Sequence, residues 1–412
     1  MSLKALSKIC LILFFISPSV FAGAAFDGLN AQVGVGFANL GSESQWSGSY
    51  KYGEKGVLGN VSLGYSRQLN NRFNFAANVF YTFGSDKTGG AFRDGSPNYN
   101  SRFKTKNIWG LVAEPGYYFS ENSLGYFKLG YARATSEYED SGSQSDYGNS
   151  NGFLYGLGFK QMIQDRIFVG AETYHIDFSK SDNVYNSWWE VNTNNTPSVT
   201  YGGVTLGYNF GSNHNKYEPH SGNSSGAFNG LDVRLGLGFA EKSSESIWVE
   251  TADPYKISDK GGFGNVAIGY SQQLGNQFNI AANIFRSFGS DDAGAWNDSD
   301  STWKIKDIWG VTLEPGFYFN NNSLGYLKVG YARASSEYID VVTPIIQSAN
   351  FGSSHGFLYG VGFKQLLTNK IYIGLETYQI DFSRNTVTSQ VNEIISNKPS
   401  LTYGGVMVGY TF

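Results

Sequence analysis

Cysteine is almost missing from this sequence, since Cys10 is its one cysteine in 412 residues. Lys4 and Lys8 come before an apolar run from Ile9 to Ile16, and small residues follow, which predicts a secretory signal peptide over residues 1–22. Removal of that segment leaves no cysteine. A disulfide framework and cysteine-based metal or redox sites are therefore excluded for the predicted mature chain.

Basic blocks and long apolar runs are also missing. The formal net charge is -4 and no cluster of Lys and Arg occurs, so nucleic acid is not an expected partner. After the predicted signal peptide no apolar stretch approaches 18 residues, which excludes a membrane-spanning helix in that part of the sequence. The chain instead contains 52 Gly, 28 Tyr and 31 Phe but only 3 Met, a composition that favours β-structure.

The sequence repeats itself once. "AFDGLNAQVGVGF" from Ala25 returns as "AFNGLDVRLGLGF" from Ala227, and "NSLGYFKLGYARATSEY" from Asn122 returns as "NSLGYLKVGYARASSEY" from Asn322. A polar segment rich in Ser, Asn and Gly separates the copies and is typical of a linker. The predicted domains are copy 1 at residues 26–210, a periplasmic linker at 211–227 and copy 2 at 228–412.

Each copy contains eight runs in which apolar and other residues alternate, as in β-strands. Most runs have ten residues or more, close to the 9–11 that a tilted membrane strand needs. Long and short connections alternate, which predicts a transmembrane antiparallel up-and-down barrel with short periplasmic turns and long outer loops. The predicted strands of copy 1 are Leu29 to Leu40, Val57 to Leu69, Phe73 to Phe83, Asn107 to Phe119, Leu124 to Tyr138, Gly152 to Ile163, Arg166 to Phe178 and Val199 to Phe210.

Charged residues occur at the inward positions of these strands, among small residues. The interior of a narrow eight-stranded barrel is filled by side chains, and buried charges are costly unless they are paired. We therefore predict a structural network of paired charges in each lumen, with a gate or an ion path as the alternative. Its predicted members are Glu114, Lys128, Lys160 and Glu172 in copy 1 and Glu314, Lys328, Lys364 and Glu376 in copy 2.

The chain resembles the OmpA-like and opacity-like outer-membrane β-barrels, the small barrels of the porin family in Gram-negative bacteria. The resemblance rests on the strand rhythm, the "FLYG-GFK" to "G-E-Y--DF" hairpin and the closing "GGV--GY-F". It implies a non-enzymatic envelope protein without cofactor or metal. The implied partners are outer-membrane lipid, lipopolysaccharide, the barrel-insertion machinery and periplasmic chaperones, and Tyr410 and Phe412 suit the C-terminal insertion signal of such barrels.

Two alternatives concern architecture and function. All sixteen strands could close into one ring, which would make a diffusion pore, but the long linker between the copies favours two tandem eight-stranded barrels. The family's functions include structural barrels, adhesins and weak pores, and we expect envelope-structural and surface-contact roles, with host or environmental surfaces as candidate ligands of the outer loops.

Two further patterns have a functional and a structural interpretation. His175 and Asp177 suggest surface hydrolase chemistry, but the second copy has Gln379 in place of the histidine. A group of tryptophans in the predicted loops fits either a sugar or host-surface site or anchoring at the membrane interface. These are Trp188, Trp189, Trp296 and Trp303.

Overall fold

The computed structural model describes two all-β halves joined in one chain. The predicted signal peptide, most of the predicted linker, and Trp188 and Trp189 lie outside the described residues. The described residues are 25–45, 49–70, 72–90, 102–140, 143–181, 184–186, 191–211, 226–248, 254–296, 301–342, 345–390 and 392–412.

The first half is a closed ring of eight long antiparallel strands. Each strand pairs with its neighbour in the chain, and β1 pairs with both β2 and β9, which closes the ring. The short β8 pairs with the outer end of β9. The strands are β1 Gly28–Gln45, β2 Ser49–Gln68, β3 Phe73–Gly84, β4 Arg102–Ser120, β5 Ser123–Asp140, β6 Ser143–Met162, β7 Ile167–Phe178, β8 Val184–Asn186 and β9 Val191–Asn209.

The second half repeats this arrangement. β10 pairs with β11 and with β19, so this ring also closes on itself, and the short β13 and β18 lie at the outer ends of β14 and β19. The strands are β10 Gly230–Trp248, β11 Pro254–Leu274, β12 Phe278–Gly289, β13 Asp292–Trp296, β14 Ser301–Asn320, β15 Ser323–Val342, β16 Ile345–Leu366, β17 Ile371–Phe382, β18 Asn385–Thr388 and β19 Ile394–Thr411.

The fold is therefore two antiparallel eight-stranded barrels, as predicted. The alternative of one sixteen-stranded ring is wrong, because β1 and β10 each pair with the last strand of their own half. Among the described residues, two pairs of β-bridge type join the rings: Tyr52 on β2 with Ile257 on β11, and Gly90 with Lys256 on β11. No helix within the described ranges is long and apolar enough to cross a membrane.

The strands extend further outward than predicted. β1 continues to Gln45 and β2 begins at Ser49, so most of the loop predicted at residues 41–56 is a paired hairpin. An 18-residue strand spans about 60 Å, whereas the lipid-facing band of such barrels is about 25 Å tall. Beyond the lipid both faces of a strand can be polar, and the apolar alternation on which the prediction depended disappears there.

Within the lipid-facing part the inward and outward positions alternate as predicted. On β4, Leu111 is 55% exposed and Val112 4%, and Glu114 points inward at 2%. Leucine, valine and aromatic side chains form the outward band of each half. In this part of both barrels the polar side chains thus point into the lumen and the large apolar side chains face lipid.

The outer ends of the two barrels share one apolar cluster. Tyr52 and Phe103 of the first barrel belong to it, together with Ile257 and Trp303 of the second. Trp303 is 2% exposed and its ring lies 4.4 Å from that of Tyr338. This burial contradicts both interpretations of Trp303, as a surface ligand site and as a membrane-interface anchor.

Contacts between the barrels occur in reciprocal pairs, so the halves are related by an approximate two-fold axis along the barrel axes. Four ion pairs from one half to the other form two reciprocal sets in addition to a reciprocal aromatic pair, with the halves exchanged as in an isologous dimer. The aromatic contacts are Phe37–Tyr359 at 6.1 Å and Tyr155–Phe239 at 6.0 Å. The ion pairs are Lys51–Asp259 at 2.8 Å with Lys256–Glu54 at 2.6 Å, and Lys55–Asp381 with Lys260–Asp177.

Candidate functional site: the two charged lumens

In the first barrel, the four charged residues predicted for the lumen lie together. Lys160 on β6 donates to Glu114 on β4 at 2.8 Å, and Lys128 on β5 pairs with Glu172 on β7 and lies 3.8 Å from Glu114. Gln32 on β1 donates to Glu172 at 3.1 Å. All four charged side chains are at most 5% exposed, so each carboxylate is held by ammonium groups in the buried interior of the barrel.

The second lumen has the same pattern. Lys328 lies 2.8 Å from Glu376 and 3.5 Å from Glu314, and Lys364 lies 3.6 Å from Glu314. The hydroxyl of Tyr326 donates to Glu376 at 3.1 Å. The glutamate of each "G-E-Y" strand therefore points inward among cations and a tyrosine, although its strand neighbours are apolar.

Two buried residues of the second lumen were missed by the sequence analysis. Both terminal nitrogens of Arg234 on β10 donate hydrogen bonds to the carboxylate of Glu314, one of them at 2.9 Å. The guanidinium also lies 3.9 Å from Glu376. Asp232, two residues earlier, accepts a hydrogen bond from Tyr372. The signal was present in "LDVRLGLGF", where both residues take inward positions of an alternating run.

These two additions preserve charge balance. Copy 1 has Asn30 and Gln32 where copy 2 has Asp232 and Arg234. One acid and one base are gained together, so the central cluster is neutral in both barrels, with two of each sign in the first and three of each sign in the second. A neutral, mutually paired cluster is the form in which buried charges are tolerated.

The short-turn mouth of each lumen is closed by aromatic rings. Phe26 packs on Tyr118 and Phe168, with ring centroids 6.0 and 5.8 Å apart. Phe228 makes the same contacts in the second half, with Tyr318 and Tyr372. A cavity beside Glu114 and Lys160 has a volume of about 10 Å³, room for about one water. The geometry provides paired, inaccessible carboxylates, which suit neither general acid–base chemistry nor solute passage.

His175 and Asp177 lie between the barrels rather than in an open site. His175 is 1% exposed, contacts Thr200 at 2.8 Å and Asp177 at 3.1 Å, and packs against Phe239 of the second barrel. Gln379 bonds to the corresponding pair, Thr402 and Asp381. A glutamine amide thus makes the same two contacts in the second half as the imidazole makes in the first.

The predicted insertion signal lies at the end of β19. The rings of Tyr410 and Phe412 are 4.9 Å apart, and both side chains are exposed on the outward face, at 38% and 64%. Tyr208 and Phe210 have the same spacing at the end of β9. The role of Tyr410 and Phe412 in insertion stays a prediction.

Comparison with known proteins gives one family and several barrel structures. The model of the outer membrane protein beta-barrel domain family matches residues 9–210. None of the curated proteins matches. Similar solved structures include the Pseudomonas putida toluene transporter TodX, at 13% identity over 94% of this chain and 90% of that chain with a TM-score of 0.29.

Two further structures have comparable scores. A FadL homologue of Pseudomonas aeruginosa is 9% identical over 94% of this chain and 91% of its own, with a TM-score of 0.30. Ail, the attachment invasion locus protein of Yersinia pestis, is 17% identical over 43% of this chain and 99% of its own, with a TM-score of 0.25. The family match together with the closed barrels places the chain in the outer membrane of a Gram-negative envelope.

Proposed function

We propose that this outer-membrane β-barrel protein is an OmpA-like or opacity-like barrel duplicated in tandem, whose role is envelope structure and contact between the outer hairpins and other surfaces. It is non-enzymatic in this proposal, and neither lumen conducts solutes. The observation that carries the proposal is the pair of neutral clusters of buried, interacting charges that fill the lumens, each with an aromatic closure below it.

The outer ends support the surface-contact role. The strand extensions of both barrels meet in the cluster that contains Tyr52, Ile257 and Trp303, so the outer hairpins are carried on one packed base. A rigid scaffold that presents variable loops is the usual arrangement for recognition. The hairpin between β5 and β6 is polar, "EDSGSQSD", whereas its counterpart between β15 and β16 reads "IDVVTPIIQS". The two barrels therefore present different chemistry on a common support.

The test is adherence of cells that display the protein. Residues 139–144 and 340–347 are each replaced by Asn-Gly, which joins the paired residues Tyr138 and Ser145 in one case and Ile339 and Ser348 in the other. We expect adherence to cultured epithelial monolayers or to glass to fall to the level of cells without the protein. The buried Tyr138, Tyr147, Tyr338 and Ala349 remain in place, so the packed base is preserved.

A matched control makes the same change at the other end of the barrel. Replacing Glu121 and Asn122, the turn between the paired Ser120 and Ser123, by Asn-Gly should leave adherence unchanged. Adherence that survives both outer replacements, with the barrel still folded in a gel-mobility assay, contradicts the surface-contact role.

A further inference from the structure

Two apolar grooves run along the contact between the barrels, one on each side. The larger groove has a volume of about 970 Å³ and the smaller about 660 Å³. Walls of the larger groove include Val35, Ala171 and Leu206 of the first barrel and Phe278, Phe317 and Val361 of the second. Walls of the smaller include Phe73, Tyr117 and Leu157 of the first barrel and Ile373, Leu375 and Val406 of the second.

The approximate two-fold axis relates the grooves to each other. Phe73 and Tyr117 occupy in the first barrel the positions of Phe278 and Phe317 in the second, so equivalent walls line both. Phe159 and Phe363 stack on each other and line both grooves, which makes them the partition between the two. The grooves thus exist only because the two barrels lie side by side.

The lining side chains lie within the lipid-facing band, toward the end of the barrels where the short turns are. Phe73 is 51% exposed and Phe278 59%, and both directly follow a short turn. An empty groove is unfavourable because its apolar walls make no dispersion contacts. At this depth in the membrane the groups that can fill it are the hydrocarbon chains of lipids. Both volumes fall within the roughly 300–1,000 Å³ of ordinary ligand pockets.

We propose that each groove binds the acyl chains of one phospholipid of the periplasmic leaflet, with its phosphate at the short-turn rim. Short turns face the periplasm in this class of barrel, which sets the leaflet. The proposal rests on the outer-membrane location and on the contact between the barrels, and does not depend on the surface-contact role.

The rim of each groove carries a cation next to a tyrosine. Arg166 donates to the hydroxyl of Tyr208 at 3.3 Å, at the short-turn end of the wall that contains Leu206. The ammonium of Lys370 lies 5.5 Å from the ring centre of Tyr410, at the equivalent end of the wall that contains Val406. Basic side chains extending from apolar stems to the interface are suited to bind a headgroup phosphate.

The smaller groove has a second rim cation. Arg72 is exposed and donates to the hydroxyl of Tyr117 at 3.1 Å. The second half has Gln277 and Phe317 at these positions, so the larger groove lacks the equivalent pair. Two cations at one rim favour a phospholipid with net negative charge. We therefore assign an anionic headgroup preference to the smaller groove.

Native mass spectrometry of the full chain, purified in mild detergent from the outer membrane, tests the proposal. We expect two phospholipids to be retained per chain. Arg166→Gln should lose the one in the larger groove and Lys370→Gln the one in the smaller, so each variant retains one. Arg72→Gln should keep two, but the preference for phosphatidylglycerol over phosphatidylethanolamine in exchange experiments should disappear.

Steric variants give an independent measurement. Val406→Trp fills the smaller groove and should reduce the count to one, whereas Val79→Trp, on a lipid-facing position outside both grooves, should leave it at two. Arg133→Gln, at an exposed arginine near the long-loop end, is the matched charge control. Gel mobility of unheated samples shows for each variant that the barrels are folded.

Three results would overturn the proposal: a folded chain that retains no phospholipid, a count that does not respond to either the rim or the steric variants, or retention of lipopolysaccharide in place of phospholipid. The second would mean that only ordinary surrounding lipid is present. None of these results bears on adherence, so the proposed function is tested separately.

Discussion

Arg234 and Glu314 form a bidentate ion pair in the centre of the second barrel, and the first barrel has Gln32 in place of the arginine. Both side chains are almost completely buried. Arg234→Gln should therefore leave Asp232 and Glu314 with insufficient positive charge. Breaking a buried ion pair costs about 3–5 kcal/mol. We expect the free energy of unfolding, measured by urea titration in detergent micelles, to fall by that order.

The sequence of the first barrel suggests a second substitution that should compensate for the loss of Arg234. The double variant Asp232→Asn with Arg234→Gln reproduces its Asn30 and Gln32, restores neutrality and should recover most of the lost stability. Arg286→Gln is the control, because Arg286 pairs with Asp307 at 3.2 Å while 71% exposed, and such pairs are worth about 0–1 kcal/mol. A double variant no more stable than Arg234→Gln alone would show that charge balance is not what the pair provides.

Glu376 gives a second test of the lumen. Glu376→Leu leaves Lys328 without its nearest carboxylate and Arg234 with only Glu314, so the temperature at which the folded band disappears in gel mobility should drop. Asp291→Leu removes a half-exposed carboxylate 3.9 Å from Lys242 and should leave that temperature unchanged. Equal shifts for the two variants would mean that Glu376 is not part of a paired interior network.

Because both lumens are closed, we expect the protein to form no stable ion-conducting pore. Purified protein in planar bilayers should show no large, steady conductance, because charge clusters and the rings of Phe26 and Phe228 fill both lumens. Single-channel recording measures this directly. A stable open level like that of wide sixteen-stranded porins would contradict the filled-lumen structure.

Topology can be tested by cysteine labelling, starting from a Cys10→Ser chain that has no other cysteine. Asp146→Cys, exposed on the outer part of β6, should react with a membrane-impermeant maleimide on intact cells. Asn70→Cys, in a short turn, should react only after the outer membrane is permeabilised. Labelling of Asn70→Cys on intact cells would show that the short turns face outward and would contradict the predicted orientation.

The ion pairs between the barrels predict how the halves associate. A protease site placed in residues 212–225 of the full chain allows the linker to be cut after folding. We expect the halves to co-migrate in mild detergent, and Lys55→Glu with Lys260→Glu to separate them, since both substitutions place like charges opposite Asp381 and Asp177. Adding Asp381→Lys and Asp177→Lys should restore association. If association does not respond to these four charges, the remaining contacts hold the halves together, namely the aromatic pairs, the shared apolar cluster and the pairs Lys51–Asp259 and Lys256–Glu54.

The sequence was most informative where one face of a strand meets lipid. The alternation around Leu111 and Glu114 predicted the strands and the side on which each residue lies, because the bilayer imposes a strict apolar face. Beyond the lipid this constraint ends. The extension of β1 to Gln45 and the burial of Trp303 depend on pairing and packing between polar or mixed segments, for which a single sequence has no periodic signal.

The contact between the barrels was not predictable for a related reason. Phe159 directly precedes the inward Lys160 in an alternating strand and therefore lies on the outward face, but an outward apolar residue looks the same in sequence whether lipid or another barrel covers it. In the structure it stacks on Phe363 and is 4% exposed. Arg234 was not predicted because the pattern common to both copies has no charge at this position, where copy 1 has Gln32.

Because the two halves are covalently linked, their association does not depend on protein concentration as that of two separate membrane barrels would. Two free barrels must find each other in the bilayer, and a weak interface would leave many of them single. A connection of roughly 15 residues rich in Gly and Ser has a root-mean-square reach of about 20–25 Å and holds partners at millimolar effective concentration. Even a weak interface is then nearly always formed, always with one copy of each half, and each half can acquire its own outer hairpins without losing its partner.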